Sequence, residues 1–218
     1  MAYFQFIPNI EYSSPFSDKT SVNATVIAKN LFRRVKLSES ASLLSSAYLF
    51  NKYVIEEGER PDTVATKYYG NSNYDWLVIF SAGIVNQRHE WPLSSKDLYE
   101  YCAKKYGDEL TAIKHYRTTE VKDSDGRLIL PAGKIVDQNF TIPNPANPVS
   151  TLNPVEGLTN YEYEYELNAA KREINLIKPS YRLQVVSELA ELFKYKPDSS
   201  QYIDAFLKKT DNVNKKSP

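Results

Sequence analysis

Two glycine-terminated helices are predicted in residues 59–83, ERPDTVATKYYGNSNYDWLVIFSAG, and this stretch decides the expected fold. Pro61 fits the first turn of a helix, because the N–H that proline lacks would have no partner there. Gly70 fits the left-handed cap that ends this helix, since glycine adopts a positive φ at little steric cost. The apolar stripe of the first helix consists of Val64, Ala65, Tyr68 and Tyr69.

The second predicted helix follows Asn71 or Asn73, either of which could cap it, and ends at Gly83. Both helices are too short to be stable in isolation, so contacts with other parts of the chain must hold them. The predicted buried face of the second helix consists of Trp76, Leu77, Ile79 and Phe80.

A strand is predicted before this helix pair and a third helix after it. The alternation in NKYVIEE has the period of a strand. Trp91 begins an extended link, after which Ser94 or Ser95 caps a helix that ends at Gly107. One face of this helix consists of Leu98, Tyr101 and Cys102.

The first fifty residues are predicted to form an extended arm and a helix. YFQFI alternates like a strand but has no nearby hairpin partner, so we expect it to pair with a distant part of this chain or with another chain. A helix is predicted over residues 26–48, because Ile27, Leu31 and Val35 lie four residues apart. Within this range, SLLSSAYL would form a short helix capped by Ser38 or Ser40.

The C-terminal half is predicted to contain a hairpin, an extended link, a strand and two helices. The dipeptide Asp125-Gly126 predicts a hairpin turn. The prolines of TIPNPANPVSTLNP predict an extended link. NYEYEYEL alternates tyrosine with glutamate and therefore predicts a strand with one aromatic face. NAAKREINLIKP and SYRLQVVSELAELF are predicted helices, the second capped by Ser180.

The composition favours a protein that binds other proteins. Lys and Arg number 27, as do Asp and Glu, so no overall positive field draws the chain onto nucleic acid or an anionic membrane. The 17 tyrosines suit surfaces that become buried against partners, since each has an apolar ring and a polar tip. The N-terminus lacks the features of a secretory signal, and no apolar run reaches the length of a membrane span.

No catalytic or metal-binding pattern stands out in the sequence. His89 and His115 lie far apart, and the single cysteine, Cys102, has apolar neighbours. The acidic residues around Glu57 have the character of a solvated strand end, and KDSDGRL lacks the later ligands of a calcium loop. We therefore expect no enzymatic activity, no cofactor and no metal site.

Residues 53–86 resemble a LysM module, whose fold is a βααβ unit that often binds N-acetylglucosamine polymers. Two departures from the LysM pattern disfavour glycan binding here: GERP replaces the usual GD, and QRHEWPLSS follows Asn86 where a second strand is usual. The matching positions are Tyr53, Val54, Glu57, Gly58, Val64, Ala65, Tyr69, Gly70, Trp76, Ile79 and Asn86.

The wider layout resembles the LysM-like base plate wedge proteins of T-even-type contractile-tail bacteriophages, in their extended form. FQFIPNIEY matches the aromatic arm of that family, Leu31-Phe32-Arg33 matches its [LI]FR element, and GERP leads into the module. The resemblance covers residues 1–105, and the later hairpin and tail look like those of extended members. The landmarks that the resemblance assigns to the module are Pro61, Val64, Ala65, Tyr69, Gly70, Trp76 and Trp91.

The resemblance implies an α+β fold and a structural role. Such proteins join adjacent wedges to each other and around the central hub in several copies, within the tail base plate of the virion, after synthesis in the host cytoplasm. The candidate partner-binding residues are Phe4, Phe6, Tyr12, Phe16, Tyr161, Tyr163 and Tyr165. The expected segments are an arm and helix (1–50), the LysM-like module (51–92), a helix (93–112), the hairpin and proline-rich linker (113–160), and a strand with helices and a mobile tail (161–218).

Two other functions remain open at this point. The first is a protein that binds peptidoglycan or chitin through the module, and the second is a tail-associated cell-wall hydrolase. The partners expected under the structural reading are other wedge and hub proteins, with no role for nucleic acid or membrane.

Overall fold

The computed structural model describes residues 2–13, 25–33, 35, 47–198 and 200–210. The helices are α1 (Pro61–Tyr69), α2 (Asp75–Ser81), α3 (Gln87–Glu90), α4 (Ser95–Tyr106), α5 (Asn160–Ala170) and α6 (Arg182–Phe193). The strands are β1 (Asn9–Ser13), β2 (Thr25–Lys29), β3 (Phe50–Val54), β4 (Ile113–Thr118), β5 (Val121–Lys122), β6 (Leu128–Leu130), β7 (Ile135–Val136), β8 (Ile142–Asn144), β9 (Asn147–Leu152), β10 (Val155–Thr159), β11 (Glu173–Ile177), β12 (Tyr202–Asp204) and β13 (Leu207–Lys209).

The fold is α+β, as predicted, and the chain forms two compact units. Unit 1 contains Met1–Tyr53, Glu59–Val85 and Ile174–Pro218, and unit 2 contains Val54–Gly58 and Asn86–Glu173. Each unit is therefore assembled from segments that are far apart in the sequence. None of the helices in the described part of the chain is long and apolar enough to cross a membrane.

Unit 1 contains a four-stranded sheet in the order β12-β13-β1-β2. Strand β1 is antiparallel to β2 and parallel to β13. The N-terminal strand is therefore a central strand that pairs on both sides with strands of the same chain. The strand predicted in YFQFI is wrong: Tyr3–Gln5 forms a 3-10 turn, and the pairing begins at Asn9. Phe6 and Ile7 follow the 3-10 turn in the sequence and precede β1. Both side chains are buried and therefore anchor the start of the chain.

The helix predicted from residue 26 is wrong, because residues 25–29 form β2. The four-residue spacing of Ile27 and Leu31 carries no buried face, since both side chains are exposed. Thr25, Val26 and Ile27 are β-branched and suit a strand, and the ladder with β1 supplies the hydrogen bonds. Residues 38–46 lie outside the described residues, and Ala47–Leu49 forms a 3-10 turn.

The predicted helix pair α1 and α2 is confirmed. Pro61 opens α1, and Gly70 ends it with a φ of 77°. Asn71 caps a 3-10 turn, Ser72–Tyr74, that leads into α2. The buried face of α2 differs from the prediction: Leu77 and Val78 are buried, Trp76 and Ile79 are partly buried, and Phe80 is exposed.

The strand paired with β3 is β11, from more than one hundred residues later in the chain. The amide of Lys178 donates to the carbonyl of Leu49, and the amide of Ile55 donates to the carbonyl of Arg172, so the two strands run in opposite directions. The helix predicted for NAAKREINLIKP is therefore wrong over its second half. The alternating burial of EINLI is that of a strand, and β3 supplies its partner.

The packing of α6 completes unit 1. This helix, predicted from SYRLQVVSELAELF, is confirmed, although it begins at Arg182 after a 3-10 turn rather than at a Ser180 cap. Leu189 and Phe193 form a core cluster with Phe6 and Ile7, and Trp76 packs against that cluster. The phenol of Tyr69 donates to the carbonyl of Ile177 at 2.8 Å, which ties α1 to the end of β11.

Unit 2 contains a three-stranded antiparallel sheet in the order β10-β4-β7, together with α4 and α5. The helix α4 and its Ser94 cap are confirmed, with Leu98 and Cys102 buried and Tyr101 exposed. The predicted hairpin is confirmed as β5 and β6, whose turn contains Gly126 with a φ of 79°.

The proline-rich segment is a hairpin of β8 and β9 rather than a simple extended link. Pro143 lies opposite Thr151 in this ladder. In a two-stranded sheet both strands are edges, so proline can occupy a position whose N–H is not needed for the ladder. The proline content therefore predicts extended backbone in this segment, but it does not indicate that the two extended stretches pair with each other.

Candidate partner-binding surface

The helix α5 carries the three tyrosines that the sequence singled out, and the strand predicted for NYEYEYEL is wrong. Thr159 and Glu162 form a capping box: the Thr159 hydroxyl accepts from the Glu162 amide at 3.2 Å, and the Glu162 carboxylate accepts from the Thr159 amide at 2.9 Å. These bonds satisfy amides at the start of the helix that have no intrahelical partner. The capping pattern T-x-x-E therefore outweighs the period of two in the tyrosines.

The buried face of α5 is polar. Asn160, Glu164 and Asn168 lie four residues apart and are all buried. The Asn160 amide group donates to the carbonyl of Glu109 at 2.8 Å. The Asn168 side chain both accepts from the Leu93 amide and donates to the Leu93 carbonyl. These contacts fix the rotation of α5 about its axis, since buried polar groups must keep their hydrogen bonds.

Glu164 is the charged member of this face. Its carboxylate accepts from the Lys105 ammonium and from the Tyr106 phenol, each at 2.7 Å. Burial alone would raise the pKa of Glu164, but these two donors and the positive charge of Lys105 lower it below its ordinary value. The same hydrogen bond raises the pKa of Lys105, so both groups are charged at neutral pH.

Tyrosines occupy the outward side of the same helix. Tyr161 and Tyr165 are one helical turn apart, with ring centroids 6.5 Å from each other, and Tyr99 of α4 lies 6.3 Å from Tyr161. Tyr99 is 56% exposed and Tyr165 is 54% exposed. We call these three residues, Tyr99, Tyr161 and Tyr165, the tyrosine ridge.

The third predicted tyrosine lies apart from the ridge. The Tyr163 ring is 5.8 Å from the His115 ring, and the Lys114 ammonium lies 4.9 Å from the Tyr163 centroid. The structure therefore brings together two of the three predicted tyrosines and adds Tyr99, which sequence reasoning missed. The four-residue spacing of the asparagines and glutamate on α5 was the signal that could have revealed a helix.

The N-terminal candidates are divided between surface and core. Phe4 is 64% exposed and Tyr12 is also exposed, whereas Phe6 is buried and packs edge-on against Trp76 at 5.9 Å. Phe6 is thus part of the core of unit 1 and offers no surface to a partner. Phe16 lies outside the described residues.

The landmarks of the module lie mostly inside the protein. Trp76 is partly buried and contacts Tyr3 and Phe6, each at 5.9 Å. Gly70 is exposed and serves as the cap of α1. The buried landmarks are Pro61, Val64, Ala65, Tyr69 and Trp91.

The acidic residues near the module are held by the protein itself. Glu59 is buried, accepts from the Tyr53 phenol and forms an ion pair with Lys67. Glu57 accepts from Arg172 and from the amide of Ser95. Carboxylates engaged in this way stabilise loops, and nothing in their geometry favours a sugar-cleaving pair or the glycan-binding alternative.

The single cysteine is accounted for by packing. Cys102 is fully buried, and burial raises the pKa of its thiol, which disfavours the nucleophilic thiolate. Within the described ranges, no group of three or more His, Cys, Asp or Glu side chains could hold a metal ion.

Residues 2–120, more than half of the chain, match the family described as base plate wedge protein 53. The chain belongs to this family. None of the curated proteins matches it. Membership makes this wedge protein a structural protein of the phage base plate, in the virion tail, that assembles with other base plate proteins.

The matched range does not include all the elements that complete the fold of the wedge protein. In unit 1, residues after 120 supply β11, α6, β12 and β13. In unit 2, they supply β10 and α5, and α5 carries two residues of the tyrosine ridge. The ridge is therefore a feature of this chain that lies largely outside the segment shared with the family.

Proposed function

We propose that this wedge protein is a non-enzymatic joint that links neighbouring wedges, and contacts the central hub, in the base plate of a T-even-type contractile tail. Several copies would act in each base plate. The strand–helix–helix segment β3, α1 and α2 would serve as a LysM-like scaffold, with β11 as its closing strand. The observation that carries the proposal is the tyrosine ridge formed by α4 and α5, because the other face of α5 is anchored by buried hydrogen bonds.

The ridge has the physical properties of a protein-binding site. Tyrosine is enriched in interfaces because its ring buries apolar area while its hydroxyl keeps a hydrogen bond. A tyrosine side chain has only two torsion angles, so ordering it against a partner costs little conformational entropy. The anchors Asn160, Glu164 and Asn168 hold the helix in one orientation, so the ridge presents the same surface before and after binding.

The ridge can be tested by removing its two most exposed rings. We expect Tyr99→Ala with Tyr165→Ala to weaken assembly with purified wedge and hub proteins of the same phage by about tenfold or more. The free energy of unfolding should change by less than about 1 kcal/mol, because both side chains are largely exposed. Sedimentation velocity would measure the complex, and urea unfolding would measure stability.

The matched control is Tyr48→Ala, which removes an exposed tyrosine of unit 1 that lies outside the ridge. This control should assemble like the native protein. Normal assembly of the double variant would contradict the role of the ridge. A clearing zone on a peptidoglycan zymogram would contradict the non-enzymatic part of the proposal.

A further inference from the structure

A second surface feature lies in unit 1, where a cleft of about 750 Å³ opens beside the four-stranded sheet. It lies among the start of β1, the turn that follows β2, the segment after α6, and β13. Its charged lining residues are Arg33, Lys196, Asp198, Lys208 and Lys209. Four of these are basic and one is acidic, so we call this feature the basic cleft.

The positive charge of the cleft is local. The whole chain has equal numbers of basic and acidic residues, so a lining with four cations and one anion departs clearly from the average surface. The one anion, Asp198, forms an ion pair with Lys208, whose ammonium lies 3.8 Å from the carboxylate. Lys196 and Lys209 form no side-chain hydrogen bond or ion pair with the described residues, and both are exposed.

A buried tyrosine, Tyr195, lies against two of the four cations of the cleft. The Arg33 guanidinium lies 5.5 Å from the centroid of the Tyr195 ring, and the Lys208 ammonium lies 6.0 Å from it. The side-chain amide of Asn30 donates to the Tyr195 hydroxyl at 2.8 Å. Cations over an aromatic face lose part of their freedom before any ligand arrives, which lowers the entropy cost of binding.

Arg33 retains hydrogen-bonding capacity. Its Nη2 donates to the carbonyls of Leu192 and Lys194, each at 3.2 Å. Its Nε is buried and has no acceptor among the described residues. The guanidinium charge of Arg33, which lines the cleft, is available to pair with a carboxylate placed there.

We propose that the basic cleft binds an acidic, extended segment of another base plate protein. Phe32 is 90% exposed at the rim and would pack against an apolar side chain of that segment. The choice of another base plate protein as the source of the segment rests on the proposed function. A nucleic acid fits less well, because its backbone needs a track of cations, whereas this site is one concavity with Asp198 in its wall.

The test uses the full chain and a labelled Glu-Glu-Phe-Glu-Glu peptide, with fluorescence anisotropy as the readout. We expect saturable binding that weakens as salt is raised and that is lost for Gln-Gln-Phe-Gln-Gln. Lys196→Gln with Lys209→Gln should lower the affinity about tenfold, because it removes two cations of the cleft that pair with none of the described residues. Neither side chain supports the fold through a described hydrogen bond, so the variant should remain folded.

The matched control is Lys96→Gln with Lys134→Gln, which makes the same change in charge at exposed positions of unit 2. It should bind the peptide like the native protein. Phe32→Ala should weaken binding of Glu-Glu-Phe-Glu-Glu but not of Glu-Glu-Ala-Glu-Glu. This double comparison assigns the aromatic contact to Phe32 rather than to a change in fold.

Equal affinities of the cleft and control variants, or no saturable binding by the native protein, would overturn the inference. A short single-stranded oligonucleotide that displaces the peptide and binds more tightly would overturn the choice of a protein segment. If wedge complexes form through the ridge but the peptide does not bind, this inference fails and the proposed function stands. If the peptide binds in the cleft but wedge complexes do not form, the proposed function fails and the inference that the cleft binds an acidic segment stands.

Discussion

At the scale of single residues, side-chain polarity is a poor guide to position in unit 2. Asn160, Glu164 and Asn168 lie inside, and Tyr161 and Tyr165 lie toward the surface on the same helix. The buried polar groups remain stable because each has a partner, including the Lys105 ammonium on the Glu164 carboxylate. Residue chemistry therefore determined which bonds were possible, and the surrounding elements determined which of them formed.

Glu57 gives a prediction about pH. The hydrogen bonds from Arg172 and from the Ser95 amide lower its pKa to about 2. In the unfolded chain a glutamate has a pKa of about 4.3, so between these values the unfolded state binds the proton more readily. The stabilisation is therefore present above about pH 4.3 and is lost as the pH falls toward about 2.

We expect Glu57→Gln to show a shallower loss of unfolding free energy with acid than the native protein. Urea unfolding at a series of pH values between about 2 and 6 would measure the slope. Glu173→Gln, which changes an exposed glutamate on β11, serves as the control and should keep the native slope. Identical slopes for native protein and Glu57→Gln would refute the assignment.

At the scale of elements, the sequence contained competing signals for helix and strand over the same residues. Residues 161–165 have the period of a strand, but Thr159 and Glu162 cap a helix. Residues 27–35 have the spacing of a helix, but residues 25–29 pair with β1. In both places the structure that forms is the one whose backbone groups find partners. These partners are the capping box at the start of α5 and the ladder with β1 for residues 25–29.

The capping box of α5 can be tested directly. We expect Thr159→Ala to lower the free energy of unfolding by about 1 kcal/mol, because the Glu162 amide loses its acceptor. Thr63→Ala, at an exposed position inside α1, should change stability by less than about 0.5 kcal/mol. Thermal or urea unfolding followed by circular dichroism would measure both variants, and equal stabilities would argue against the cap.

At the scale of the whole molecule, each unit depends on segments far apart in the sequence. Strand β3 has β11 as its partner, and β1 lies between β2 and β13. The core cluster joins Phe6 near the start of the chain to Phe193 in α6. The segment matched by the wedge family, residues 2–120, lacks β11, β13 and Phe193 and should not fold alone as it folds in the full chain.

This dependence predicts the behaviour of a fragment of residues 1–120. In the full chain the Ile55 amide donates to the carbonyl of Arg172 at 2.9 Å, so it should exchange slowly with solvent. In the fragment that acceptor is missing, and we expect the Ile55 amide to exchange at close to the rate of an unfolded peptide. Hydrogen–deuterium exchange read by mass spectrometry would show the difference, and equal protection would mean that β3 finds another partner.

The sequence by itself determined the elements whose signals are local. Helices α1, α2 and α4, their caps, and the hairpin of β5 and β6 depend on proline, glycine, serine and apolar spacing within a few residues. Only the tertiary structure decided β1, β2 and β11, and the grouping of Tyr99 with Tyr161 and Tyr165. The physical reason is that strands and surfaces are completed by residues distant in the chain, and no local pattern encodes which distant residues those are.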